Sequence, residues 1–223
     1  MPISPANHAA FYNRIAGAYD LIADPGEAAA RRDGEAALAL QPGESVLEVG
    51  FGTGNSLLTF AQQVGTSGRV CGIDISESMR KIASTRFEHA PELARIVDLQ
   101  IGDARLLPYP DQQFNAVFAS FTLELFDDRE IPAVLSEMRR VLRRDGRLGL
   151  VVMATPENAQ HDSLLEHVYV WMHQHFPHIV DCHPVNIEPL LDETGFEVAS
   201  RKRIEIWTLP VDIVIAKPVG ESG

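Results

Sequence analysis

The sequence predicts an α/β protein with a mostly parallel sheet covered by helices on both faces, and three features carry that expectation. Apolar strand-like runs alternate with helical patterns, several of the runs are continuous rather than alternating in polarity, and the first of them ends in a cluster of glycines that opens a helix. A strand that turns one face to water alternates apolar and polar residues, whereas a strand buried on both faces reads as an unbroken apolar run.

Residues before position 45 read as helices, including an alanine-rich stretch from Glu27 to Leu40. Strand-like runs follow at Ser45 to Val49, Arg69 to Ile73, Ile96 to Ile101, Phe114 to Ser120 and Arg147 to Met153. The clearest helix spans Arg129 to Arg143, where Ile131, Val134, Leu135, Met138, Val141 and Leu142 fall at the three-and-four spacing of one buried stripe. Pro132 sits in its first turn, where a missing N–H does no harm. Asp127 or Asp128 is placed to cap the start, and Asp145-Gly146 to end the helix and turn the chain into the next strand. Arg139, Arg140, Arg143 and Arg144 gather at the helix end, where cations complement the dipole and face water. Residues Thr155 to His183 then form a long excursion with a helix-like segment from Gln160 to Phe176, at the end of the sheet where α/β proteins add substrate contacts. A helix around Val185 to Glu193, a Thr194-Gly195 stop and two β-like runs, Phe196 to Arg203 and Ile204 to Ala216, close the chain.

A length of 223 residues and 45% hydrophobic content suit one sizeable core. With 31 acidic against 19 basic residues the formal charge is -12, and no stretch gathers enough Lys and Arg to hold a polyanionic backbone, so nucleic acid is not the expected partner. Two cysteines, Cys71 and Cys182, imply no disulfide framework and fit a reducing, cytoplasmic setting, with Cys71 read as core. Met1 to Phe11 lacks the basic start and apolar centre of a signal peptide, and the longest apolar stretch, Leu148 to Ala154, is far too short to cross a bilayer. Peripheral membrane contact through one amphipathic segment stays open.

The chemistry concentrates at three strand ends. Val46-Leu47-Glu48-Val49 leads into Gly50-Phe51-Gly52-Thr53-Gly54-Asn55-Ser56, a buried strand, alternating glycines and a helix start. Glycine serves there because the backbone must turn tightly and let a ligand approach atoms that a Cβ would screen. The dinucleotide fingerprint is G-x-G-x-x-G, and Asn55 stands where its last glycine belongs, which argues against NAD; no Gly-Lys-Ser/Thr follows, which excludes a Walker loop. The next strand ends Gly72-Ile73-Asp74-Ile75-Ser76, where a carboxylate can accept both ribose hydroxyl hydrogens. Alternatively, Asp74 or Ser76 is simply the N-cap of the following helix. After the third strand comes Gly102-Asp103-Ala104, whose carboxylate can accept from an adenine amino group.

Together these strand ends resemble the class I S-adenosylmethionine-dependent methyltransferases, with Glu48-Val49-Gly50-Phe51-Gly52-Thr53-Gly54 matching their first motif. The resemblance, which runs from Ser45 to Ala216, implies a Rossmann-like seven-stranded sheet with an antiparallel last strand and S-adenosyl-L-methionine as cofactor. It implies that Gly50, Gly52 and Gly54 face the cofactor's methionine part, that Glu48 orders the loop and helps bind the amino group, and that Asp74, with Ile75 beside it, takes the ribose. Asp103 and Ala104 would hold the adenine, and Ser120 would lie beside the sulfonium and the acceptor. Tyr12 to Asp20 is similar to the helix before the core in the ubiquinone and menaquinone biosynthesis C-methyltransferases, where the tyrosine before the aspartate closes over the cofactor; Tyr19 is the corresponding lid residue, with core packing as the alternative. Leu106 to Phe114 resembles the L-P-F-x-D-x-x-F segment of the same group. The chain then divides into an N-terminal helical lid (1–44), a cofactor-binding core (45–153), a substrate-side insertion (154–184) and a C-terminal helix with strands (185–223), within one domain.

A sulfonium already makes its methyl carbon electrophilic, so the protein has mainly to place a nucleophile in line and exclude water. The acceptor expected is a small, apolar or aromatic molecule, methylated on carbon or oxygen. A general base would come from the insertion, with His161, His167 and His173 as candidates and His175 and His178 beside them. These histidines, with Asp181, Cys182 and His183, match no familiar metal-ligand spacing, and no metal is expected. The fourth strand ends Phe118-Ala119-Ser120-Phe121-Thr122 rather than in the Asn/Asp-Pro-Pro-Tyr/Phe motif of enzymes that methylate exocyclic amines, which disfavours base or amide substrates. The alternative function is a catalytically silent regulatory protein that binds S-adenosylmethionine as a signal.

Overall fold

A computed structural model of the chain describes residues 25–155, 183–206 and 209–220. In chain order these form α1 (Pro25–Leu38), β1 (Ser45–Val49), α2 (Asn55–Val64), β2 (Arg69–Asp74), α3 (Glu77–Thr85), α4 (Pro91–Ala94), β3 (Val97–Ile101), β4 (Phe114–Ser120), a 3-10 turn (Leu123–Leu125), α5 (Ile131–Val141), β5 (Leu142–Met153), α6 (Ile187–Glu193), β6 (Phe196–Ile206) and β7 (Leu209–Pro218). The seven strands make one sheet in the order β3-β2-β1-β4-β5-β7-β6. Neighbours from β3 to β5 are parallel, while β7 runs antiparallel to both β5 and β6, as the resemblance implied.

Burial explains the continuous apolar strands. Leu47 and Val49 face a core shared with Ile131, Val134, Leu135, Met138 and Val141 of α5 and with Ile187 and Leu191 of α6. Val46 faces the opposite core, shared with Ala30 and Leu38 of α1, Phe60 and Val64 of α2, and Met79 and Ala83 of α3. Both faces of β1 are therefore dry, and only a non-alternating sequence fits such a strand. Cys71 is buried in the first of these cores, as read from its apolar run.

Helix α1 packs closest where it has no side chain. A Cβ at Gly34 would stand 2.5 Å from Val151 Cγ2 and 3.2 Å from the Phe118 ring, so glycine lets the helix backbone lie against β4 and β5. Its carboxyl end is held by Arg147, which donates to the carbonyls of Leu38 and Ala39 and pairs with Glu44 at 2.7 Å.

The structure departs from the sequence reading at several points. Helix α5 ends at Val141, and β5 begins at Leu142, because Phe114 pairs with Leu142 and Ala116 with Arg147. Asp145-Gly146 therefore forms a bulge within the strand rather than the turn before it. No side chain caps α5; Asp127 instead accepts from the Arg129 N–H at 3.0 Å and shapes the preceding turn. The β6 strand extends to Ile206, beyond the break read after Arg203, because Ile204, Glu205 and Ile206 pair with Val211, Pro210 and Leu209. Arg139 and Arg140 do more than face water: Arg139 donates to the carbonyls of Gly195 and Val219, and Arg140 to those of Leu107 and Tyr109. Both are clamps between α5 and the loops around it.

The close approach at Gly34 predicts that Gly34→Leu overpacks the interface between α1 and the sheet. The expected loss is about 1–3 kcal/mol, read as a thermal midpoint lowered by roughly 2–4 °C for each kcal/mol.

Candidate functional site

The sheet order places a switch point between β1 and β4: the chain moves outward from β1 to β2 and β3, then returns to the other side of β1. Loops leaving the carboxyl ends of the two strands diverge there and open a crevice. The glycine loop leaves β1 at this crevice with Gly50, Gly52 and Gly54 at φ values of 73°, 52° and 80°. All three are left-handed, where a Cβ costs energy. Their surroundings separate two roles. A Cβ on Gly50 would stand 2.5 Å from Thr122 and one on Gly54 2.7 Å from Ala83, so these two glycines let the protein pack on itself. A Cβ on Gly52 would meet nothing within 4 Å, so that glycine borders open space.

Hydrogen bonds hold the loop rigidly. Gly50 N–H donates to Ile73 O at 2.8 Å, and Gly52 N–H donates to Asp74 Oδ2 at 2.9 Å. Asp74 Oδ1 accepts from Ser76 N–H at 2.8 Å. Ser76, not Asp74, caps α3, its Oγ accepting from Met79 N–H at 3.2 Å. Burial raises the pKa of Asp74 from its ordinary value, while the N–H groups of Gly52, Ser76 and Ile75 oppose the rise.

Around this centre stand the other residues singled out by sequence. Glu48, one residue before the end of β1, is buried, its Oε2 has no partner, and burial pushes its carboxyl well above the usual range. Ser120 ends β4 with its Oγ buried and unpartnered. Asp103 follows β3, whose end is tied to β2 by Gly102 N–H donating to Asp74 O at 3.0 Å. Its carboxylate is gripped by Arg105, which holds it below the usual range and also reaches Glu130. Ala104 is buried beside it, and Ile75 is half-buried. Tyr19, His161, His167 and His173 lie outside the described residues, as do His175, His178, Asp181 and Cys182. Among the described residues no group of three or more His, Cys, Asp or Glu is arranged to hold a metal ion, and no helix is long and apolar enough to cross a membrane.

Sequence reasoning passed over Glu124. It sits in the 3-10 turn just beyond β4, is fully buried, and accepts from the Met153 N–H through Oε1, while Oε2 has no partner. The β4 ladder stops at Ser120 because Phe121 turns away at φ 50°, and the Glu124 carboxylate supplies the acceptor that the strand no longer offers to β5. Burial, followed by the backbone N–H groups that oppose it, leaves its pKa raised from 4.5 to about 7. A lone acid inside the apolar run Phe121 to Phe126 was the available signal.

A methyltransferase domain family matches residues 46–146. The chain is 36% identical over 121 residues to the demethylmenaquinone methyltransferase of Lactobacillus johnsonii, covering 54% of this chain and 48% of that protein. It is 31% identical over 175 residues to the ubiquinone/menaquinone biosynthesis C-methyltransferase UbiE of Paraburkholderia xenovorans, covering 75% of this chain and 70% of that one. Against several curated relatives the match spans about half of their length. The crystal structure of the [4+2]-cyclase SpnF shares the fold, with a TM-score of 0.76, 20% identity and 98% of each chain covered.

The buried Glu124 gives stability a pH dependence of definite sign. The native state keeps a proton that the unfolded chain loses between pH 4.5 and about 7, so stability falls as pH rises through that window and is flat above it. Glu124→Gln removes this contribution, at most about 3 kcal/mol. Urea unfolding of both proteins at mildly acidic and mildly basic pH checks it, and an unchanged slope in the variant would exclude Glu124 as the source.

Proposed function

Because the chain belongs to the class I S-adenosylmethionine-dependent methyltransferases, we propose that it transfers a methyl group from S-adenosylmethionine to a carbon or oxygen of a small, apolar or aromatic molecule. The observation that carries the reading is the clamp between Asp74 and Gly52, set beside open space. The two relatives reported act, by their names, on quinone-type compounds, which supports an aromatic acceptor here. Neither is a silent binding protein, and no feature of the site favours that alternative.

The residues present fit the cofactor. Gly52 leaves room for a ligand against bare backbone, and the orphaned Glu48 Oε2 offers a buried acceptor to an ammonium. When bound, S-adenosylmethionine supplies an electrophilic methyl carbon on a sulfonium. In this proposal the backbone of Gly50, Gly52 and Gly54 borders the methionine part, and Asp74 accepts from the ribose hydroxyls. Asp103, Ala104 and Ile75 flank the adenine, and Ser120 faces the reacting centre with an unpaired hydroxyl. Tyr19 is the lid residue. The protein's contribution is orientation and exclusion of water. Methyl transfer occurs at the switch point, within a single methyltransferase domain that we assign to residues 1–223.

Calorimetric titration with S-adenosylmethionine and S-adenosylhomocysteine tests the reading. Both should bind. Gly52→Leu should abolish binding while costing the fold only about 1–2 kcal/mol, the penalty of one left-handed side chain. No binding of either ligand to the wild type would overturn the reading. Asp74→Ala should weaken both ligands by about 1.5–3 kcal/mol, the range for losing a charge-assisted hydrogen bond; unchanged affinity would remove Asp74 from the site.

A further inference from the structure

The residues assigned above to the cofactor belong to β1, β2, the loop after β3 and the end of β4, and they leave the buried Glu124 without a task. The turn that carries it is pressed against the glycine loop: Thr122 packs on Gly50, and its hydroxyl donates to Val49 O at 3.3 Å. Glu124 Oε1 accepts from the Met153 N–H at the carboxyl end of β5, while Oε2 is buried with no partner. The carboxyl therefore stands on the β4 and β5 side of the switch point, where the Ser120 hydroxyl is a second buried orphan. Helix α1 closes the same end. Leu38 is held by Arg147 and Gly34 rests against Val151, so the helix runs antiparallel to β5 and Glu27 in its first turn comes to the carboxyl ends of the strands. The charge of Glu27 acts on Glu124. Further along α1, Arg31 and the buried Glu35 pair at 3.5 Å and act on Glu48. His183 donates its main-chain N–H to Glu124 O at 3.3 Å, and its ring pairs with Asp128 Oδ1 at 2.8 Å.

Holding the Met153 N–H does not call for an acid. Glutamine would offer that N–H the same kind of oxygen without burying an ionisable group. As a glutamate, the residue is unmatched in either state: the carboxylate has an idle acceptor, and the acid has an O–H with nothing to receive it. A substrate hydroxyl suits both states, donating to the carboxylate before transfer and taking its place beside the acid afterwards. Resting on the methyltransferase reading above, we propose that Glu124 is the general base, taking the proton from a hydroxyl conjugated with the acceptor's π system, a phenol or an enol. As the O–H bond breaks, its electron pair stays with the acceptor. The new bond to the methyl carbon forms from that oxygen or from the carbon conjugated with it, and the bond from sulfur to methyl breaks with its pair left on sulfur. The proton rests on Glu124 Oε2 and passes to solvent when the product leaves; on the carbon route the displaced ring hydrogen returns to the oxygen as a proton. Burial raises the carboxyl, its own N–H and that of Met153 oppose the rise, and Glu27 adds to it, which poises the group at about 7. A base serves best there, being both ionised and basic near neutral pH.

Release of S-adenosylhomocysteine from saturating S-adenosylmethionine, measured with two acceptor probes, tests this. 1,4-Dihydroxynaphthalene, kept reduced under nitrogen, carries hydroxyls that are un-ionised at neutral pH; 2-hydroxy-1,4-naphthoquinone is an enol already ionised there and needs no base. The wild type should methylate both. Glu124→Gln, which keeps an oxygen for the Met153 N–H, should lower kcat on the first probe by about 100-fold or more, the usual contribution of a general base. Its KM for that probe should stay within threefold, its kcat on the second probe within threefold and its affinity for S-adenosylhomocysteine within twofold. Glu124→Asp should recover part of the loss. In the wild type kcat/KM for the first probe should rise tenfold per pH unit below about 7 and level off above it, because only the ionised carboxyl accepts a proton. If Glu124→Gln does not fold, a wild-type profile that is flat across this range overturns the base. So do equal losses on the two probes, or no loss on the first. Methylation of neither probe by a wild type that binds S-adenosylmethionine overturns the acceptor class and the proposal with it. Failure to bind S-adenosylmethionine overturns the methyltransferase reading instead.

Discussion

The bond from the Gly52 amide to the Asp74 carboxylate is the constraint on which the rest of the site depends. It joins the loop after β1 to the end of β2, and it exists only because residue 52 holds a left-handed conformation that turns its N–H toward β2. Ser76 also donates to the carboxylate and caps α3, so a single acid sets both the glycine loop and the start of the next helix. Arg86, at the end of α3, returns to the Thr53 carbonyl and hydroxyl. The loop is thereby pinned from both ends of one helix, and its shape does not wait for a ligand.

Around this rigid centre the protein buries more acid than it neutralises. Glu48, Asp74 and Glu124 all have pKa values raised chiefly by burial, and Glu48 and Glu124 each keep an oxygen without a partner. Orphaned carboxyl oxygens reduce stability, and they are tolerated where another requirement holds them. By contrast, two acids away from the crevice are matched. Asp212 is paired with Arg201 and Arg203, and Glu137 with Arg140. The two carboxyls with orphaned oxygens lie at the carboxyl ends of β1 and β4.

Much of this was legible in the sequence. The apolar stripe from Ile131 to Val141 is buried at every position read as core, and Phe114 to Ser120 is the strand expected, because burial on both faces leaves a pattern that needs no tertiary information. The glycine loop was legible for the same reason: three glycines in five residues answer a backbone requirement written locally. What escaped were contacts between distant segments. Arg139 and Arg140 look like any cations at a helix end, and only the carbonyls of Leu107, Tyr109, Gly195 and Val219, brought up by the fold, turn them into clamps. Arg31 and Glu35 share the four-residue spacing of an exposed surface pair, and nothing in α1 itself says that the helix lies on the sheet. The bulge at Asp145-Gly146 reads as a turn until Phe114 is found opposite Leu142.

The switch point also governs when the site comes into being. Ser45 and Asn115 are bonded across 70 positions of chain, whereas β6 and β7 meet as near neighbours in sequence. Closing so long a loop is slow compared with forming a hairpin, because its entropy is lost before the pairing repays it. The crevice does not exist until β4 has docked beside β1, which places its assembly among the later events of folding. A ligand bound there holds on to the finished sheet alone, and so acts as a latch on the completed protein rather than as a template for its collapse.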